Sequence, residues 1–304
     1  MSAAATMTVP AIRPNQQSRR STRARRRRIL VAAGSLLLGA VILIWSLIPV
    51  YNMLLVALDP EGHNEFTYAI WPSHATLGVF ADLWKADDED VRDIWPAFGN
   101  SIYIGVMVMT FTVLIASLAS FAVGRMRLAK EWTLSGVALL TYAIPASTLI
   151  IPFIRIMHIY GLTDNLWAVI AAEVAFATPY AILVLQYYAK LIPSELDDAA
   201  RIDGASAAQL YLRIYLPLMA PALAAVGTYA LLFAWNDYFY QYMLLMSERH
   251  TTVAMALEQF FDDDDAPWNY MMAIAILYSL PPIAIFYGLR RFMASGLTVG
   301  GVKG

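Results

Sequence analysis

Cysteine is absent from the chain, which removes disulfides, thiolate metal sites and cysteine nucleophiles. Charge is scarce: Asp, Glu, Lys and Arg make up 14% of the 304 residues, against about 25% in a soluble globular protein. The 4 histidines, at positions 63, 74, 158 and 250, have no metal-ligand spacing. No Gly-x-x-x-x-Gly-Lys-Ser/Thr phosphate loop occurs. No paired acid–base or metal constellation accompanies the isolated carboxylates, which argues against a membrane enzyme working at Glu173 or Asp237. Hydrophobic side chains are abundant, at 59% of residues, and they come in long runs.

A helix needs about 20 mostly apolar residues to cross the hydrocarbon of a bilayer. Six runs qualify, with soft edges: 29–57, 98–123, 133–157, 166–189, 218–245 and 269–289. Pro145 and Pro152 break the third, Pro179 lies in the fourth, and Pro281 and Pro282 lie in the last. Such prolines fit kinked helices whose freed carbonyls are satisfied by neighbours. The first run is too long for a signal peptide and lacks a clean small-residue cleavage site, so it reads as an uncleaved helix. Arg13, Arg19, Arg20, Arg23, Arg25, Arg26, Arg27 and Arg28 precede it. An arginine run can bind nucleic acid; beside a span it more simply holds the N-terminus in the cytoplasm, and no nucleic-acid partner is expected.

The other loops agree with that orientation. Arg125, Arg127 and Lys130 follow the second run, Lys190, Arg201 and Arg213 follow the fourth, and Arg290, Arg291 and Lys303 follow the last. The opposite loops are acidic, with Asp82, Asp87, Asp88, Glu89, Asp90 and Asp93 in one and Asp262 to Asp265 in another. Basic loops on one side place both termini in the cytoplasm. The four consecutive aspartates lack the glycine-centred spacing of an EF-hand and read as a solvated face. The expected organisation is a disordered basic tail over 1–28, a first helix over 29–57 and an external loop over 58–95. A core of five helices follows over 96–289, with a polar loop at 190–217 and a cytoplasmic tail at 290–304.

That loop contains SELDDAARIDGASAAQLYLRIYLP, Ser194 to Pro217. Ser194 with Asp197 has capping-box spacing, and Glu195, Asp197 and Asp198 crowd a first turn where the helix dipole favours them. Gly204 marks a turn. Ser206 with Gln209 has capping-box spacing again, and Pro217 and Pro221 lie at the start of the next span. The spacing describes a helix, a tight glycine turn and a second helix near the membrane surface, either as a simple connector or as a docking element.

The segment resembles the signature loop in membrane subunits of binding-protein-dependent ABC importers. That pattern is Glu-Ala-Ala, three residues, Gly, nine residues, Ile, one residue, Leu-Pro. Here it reads Asp198-Ala199-Ala200, Gly204, Ile214 and Leu216-Pro217, with Pro193, Glu195 and Asp203-Gly204-Ala205 also fitting the usual form. Asp198 in place of glutamate keeps the charge and shortens the reach. Asn100-Ser101, Trp235-Asn236-Asp237 and the closing GLTVGGVKG (296–304) are similar to the carbohydrate branch, and in particular to the second, six-span membrane subunit of the maltose permease. The resemblance implies an all-α integral membrane protein of the type I importer fold, with six transmembrane helices and a cytoplasmic coupling helix at the loop. It further implies a second homologous permease subunit, two cytoplasmic ATPase subunits carrying ATP and Mg, and an extracellular solute-binding protein that delivers a sugar. This chain would bind no cofactor, would sit in a bacterial inner membrane in contact with lipid, and would catalyse nothing itself. A phosphorylated polyol is the alternative solute, and a membrane scaffold is the alternative without transport.

Ionisable groups within spans are costly and usually face protein or water. Glu173 lies early in the fourth run and Asp237 well into the fifth, after Trp235 and Asn236. Carboxylates and amides can hydrogen-bond sugar hydroxyls, and a ring can cover a sugar's apolar face. The same residues can instead cap or tie kinked helices. Arg155 and His158 read as snorkelling at an interface. Trp71, Trp84, Trp95, Trp132, Trp167 and Trp268 read as an aromatic belt.

Overall fold

The computed structural model describes residues 15–60, 71–72, 74–85, 91–125, 136, 140–261 and 267–297. Expectations for 126–135 and 262–265, and for the tail beyond 297, lie outside these residues. Residues 1–53 and 54–304 form two units. All the regular structure among the described residues is helical.

Helix α1 spans Asn15–Ala57. Its backbone is helical from Asn15, ahead of the first expected helix at residue 29. No proline or glycine falls between Asn15 and Gly34, and arginine is a good helix former. From Arg26 to Val50 every side chain is exposed.

In the second unit, α2 (Gly78–Lys85) and α3 (Ile94–Arg125) precede a shorter apolar helix, α4 (Ile150–Ile159). Helix α5 spans Leu166–Ala189 and α6 spans Glu195–Ile202. Helix α7 (Ala207–Asn236) is followed by α8 (Phe239–Leu244), α9 (Val253–Gln259) and α10 (Trp268–Leu297). Five helices among the described residues are long and apolar enough to cross a membrane: those at Arg26–Ala57, Ile94–Arg125, Leu166–Ala189, Ala207–Asn236 and Trp268–Phe292. The third expected run, 133–157, is described only from 136 and 140 onward, and its apolar helix, Ala146–Ile159, falls short of a span. Pro145 is the reason: with φ −58° and ψ 128° it separates two short helical turns.

The fifth run is also displaced. The helix was expected over 218–245, but it starts earlier and ends at Asn236, because Asp237 adopts an extended backbone (ψ 125°). At its other end the stretch Leu210–Tyr215 is π-helical. Pro217, two residues beyond its end, lacks the N–H that an α ladder needs there.

Helix α3 packs most extensively against α5 and then α7, and α7 packs against α10. Three apolar clusters succeed one another along α3: around Ile94 and Phe98, around Ile104 and Val108, and around Ala116 and Phe121. Small residues permit the close approach. Ala168, Ala172, Ala177 and Ala181 of α5 are fully buried, and a Cβ at Gly227 of α7 would sit 3.4 Å from Val113 of α3. Without a hydrophobic force between helices in lipid, such contacts are what hold spans together.

Candidate functional site

The chain gathers its polar groups at the two ends of this bundle. At the end where α7 stops, Glu173 of α5 is 1% exposed. Neither of its carboxyl oxygens has a hydrogen bond of normal geometry among the described residues. The polar side chains acting on it are Asp237 and Gln241. Sequence reading chose Glu173 and Asp237 separately; the fold brings them together. Asp237 Oδ2 accepts from the amides of Tyr240 (3.0 Å) and Gln241 (3.3 Å), so it caps α8. Gln241 Nε2 donates to the Ala234 carbonyl at 2.9 Å. Trp235 is buried, with its ring stacked on Tyr278 at 4.9 Å and its carbonyl accepting from the Tyr278 hydroxyl. Its ring face is therefore taken. Asn236 is exposed and donates to the Leu232 carbonyl within its own helix at 2.7 Å. Asp237 thus performs the capping role that was one of its two readings, while Glu173 makes no comparable bond among the described residues.

The same end is tied down by α3 and by the turn before α5. Asn100 Nδ2 donates to the carbonyls of Arg249 (3.0 Å) and Thr251 (2.9 Å), and Ser101 Oγ accepts from the Val253 amide at 3.0 Å. The Asn-Ser pair is therefore spent on fixing the 249–253 backbone. Asp164, at φ +52°, accepts from the amides of Met246 (2.8 Å) and Ser247 (3.1 Å) and pairs with His250 Nδ1 at 3.2 Å. Burial pushes the Asp164 carboxyl up. The bonds from Met246, Ser247 and His250 outweigh that and hold it below the usual carboxylate range.

At the opposite end lies the 190–217 loop. Ser194 does not cap α6: its backbone is already helical (ψ −21°), and its side chain makes no cap bond. Asp197, expected to complete that box, is drawn instead to Arg125. The second box forms, with the Ser206 amide donating to Gln209 Oε1 at 2.8 Å and the Gln209 amide to Ser206 Oγ at 3.3 Å. Between the two helices Gly204 has φ +80°, a conformation that costs an L side chain about 1–2 kcal/mol. The motif positions divide by face. Glu195, Asp198, Ala199, Asp203, Gly204 and Pro217 are exposed, while Ala200, Ile214 and Leu216 are partly covered against the third apolar cluster. Ile202 is 86% exposed, an unusual position for a large apolar side chain on a polar hairpin.

Sequence reading missed Gln241, Tyr240 and Tyr278 around Glu173. Gln241 carries the one available signal, its helical spacing from Asp237. It also missed the Arg125–Asp197 pair, because Arg125 was read only as a marker of topology.

Long apolar helices gathered on α3, with inward polar groups at one end and a capped hairpin at the other, form a multi-spanning membrane permease subunit that is itself non-catalytic. Residues 112–299 match the family described as binding-protein-dependent transport system inner membrane component, and the chain belongs to that family. It is 30% identical over 268 residues to the inner membrane ABC transporter permease protein YcjP of Escherichia coli, covering 87% of this chain and 94% of that one. It is 29% identical over 262 residues to the trehalose transport system permease protein SugB of Mycobacterium tuberculosis (86% and 93% covered). A solved bacterial ABC transporter involved in the import of the acidic polysaccharide alginate shares the fold. Its TM-score is 0.71 at 20% identity, covering 88% of this chain and 97% of that one.

Proposed function

We propose that this subunit, with a second homologous permease subunit, forms the membrane pathway of an ATP-driven importer for a sugar or oligosaccharide. An extracellular solute-binding protein delivers the solute, and two cytoplasmic ATPase subunits hold ATP and Mg. Both termini lie in the cytoplasm, and the 133–157 run supplies the sixth span. The 190–217 hairpin docks on an ATPase subunit. Glu173, Asn236 and Asp237 lie along the solute's route, and Trp235 and Tyr278 pack behind them.

The observation that carries this reading is the hairpin. Its positive-φ glycine, capped second helix and exposed Asp198, Ala199 and Ile202 present a shaped surface with no covering element among the described residues. The sugar assignment draws on the relatives, whose names include trehalose, arabinooligosaccharide and maltodextrin transport.

The test is reconstitution with the partner subunits in proteoliposomes. ATP-dependent uptake of a labelled oligosaccharide, dependent on the loaded binding protein, is the expected result. An assembled complex that moves a non-sugar solute and no sugar would overturn the solute assignment. Orientation is tested by reporter fusions at the C-terminus and within 262–265, which should give opposite signals.

A further inference from the structure

We infer that Arg125 is a positioning residue that locks the 190–217 hairpin to α3, so that displacement of the hairpin is delivered to α3. This rests on the docking reading above and goes beyond it by naming the link inside the subunit.

Arg125 is the last described residue of α3. Its Nη1 lies 3.0 Å from Asp197 Oδ2, and its Nη2 donates to the Ile192 carbonyl at 3.1 Å. One guanidinium therefore holds both the α6 helix and the chain just before it. The pair is sheltered, with side chains 8% and 16% exposed, unlike surface ion pairs, which hold little. The placement of Asp197 is favourable in itself, because an anion suits the first turn of α6.

Two further contacts continue the seam. Ser117 of α3 pairs with the Tyr211 hydroxyl at 2.8 Å, and Ser120 with the Tyr215 hydroxyl at 2.8 Å. Phe121 packs edge-on against both tyrosine rings, at 5.3 and 5.2 Å. Tyr211 and Tyr215 belong to the π-helical stretch before Pro217, a kind of irregularity found often at functional sites. Positions 117, 120, 121 and 125 thus bind α3 to both arms of the hairpin. With the seam intact, a force on the outward Asp198 and Ala199 reaches α3 through side chains rather than only along the chain.

The test compares Arg125→Gln, Arg125→Lys and the double variant Tyr211→Phe/Tyr215→Phe in the complete complex. Three quantities are read: ATPase co-purification, hydrolysis stimulated by the loaded binding protein, and labelled sugar taken up per ATP hydrolysed. Arg125→Gln should keep the ATPase bound yet lower uptake per ATP about tenfold, within the usual range of coupling between sites. Arg125→Lys should recover most of it, since it keeps the charge without the planar fork. A merely structural arginine would change yield and leave uptake per ATP alone, and that result would overturn the inference. If Arg125→Gln does not assemble, the double tyrosine variant decides, since it removes two hydroxyls and no ring: lowered uptake per ATP supports the seam, and a wild-type ratio overturns it. Asp198→Lys, on the outward face, separates the two layers of interpretation. Wild-type association and stimulation there would remove the docking reading itself. A defective Asp198→Lys beside a wild-type Arg125→Gln would remove only the lock.

Discussion

Asp197 and Glu173 are both acidic, both sheltered, and set at opposite ends of the same bundle, yet they are treated differently. Asp197 has a guanidinium at 3.0 Å and a place in a helix's first turn. Glu173 is more deeply buried, faces a second carboxyl, and has no hydrogen bond of normal geometry among the described residues. A buried carboxyl without a partner is expensive and is the kind of group that spans retain for transport rather than for stability. The contrast separates a polar group that holds the subunit together from one that the fold only tolerates.

The largest effect is expected from Asp197→Ala. It strands Arg125 in a sheltered site, and breaking one side of such a pair costs about 3–5 kcal/mol. The apparent melting temperature of the purified complex should fall clearly; an unchanged value would mean the pair is dispensable and would blunt the contrast. Gly204→Val comes next, because φ +80° is unavailable to a β-branched residue without a strain of about 1–2 kcal/mol. The protein should still insert, with ATPase co-purification reduced. Normal co-purification together with normal coupling would detach the hairpin from docking.

Glu173→Gln should lie within about 1 kcal/mol of wild type in stability, while uptake per assembled complex falls. A stability loss as large as that of Asp197→Ala would show that Glu173 is structurally paired, erasing the distinction. The smallest effect is expected at Asp164, whose folded carboxyl sits below its ordinary range. Its network therefore contributes stability that is complete above about pH 4 and is lost as pH falls through the folded value. Asp164→Asn tolerates the same backbone but removes the charge. It should be less stable than wild type at neutral pH by about 1 kcal/mol, and thermal melts in a pH series should show the gap closing in acid. A gap that widens in acid would contradict the assignment.

The features carried by local spacing were legible in the sequence. The Ser206–Gln209 box and the turn at Gly204 follow from residues three apart and from one glycine, and four of the six expected runs end close to long apolar helices. What failed was set by tertiary partners. Ser194 lost its box because Asp197 had a better partner 72 residues away in the chain. The end of α7 moved because Asp237 caps the next helix. Glu173 was found by its cost in a span, but its neighbours Gln241 and Tyr278 carry no such cost and could be placed beside it only by the fold.

The freedom from cysteine allows the most direct test of hairpin docking. Single cysteines at Ala199 and Ile202, both exposed on the hairpin, and at Ala225, exposed on α7, can be introduced without background and treated with a short bifunctional reagent in the assembled complex. Ala199→Cys and Ile202→Cys should cross-link to the ATPase subunit while Ala225→Cys does not. Failure of both hairpin cysteines to cross-link in a complex that retains ATPase and transports sugar would contradict the docking assignment.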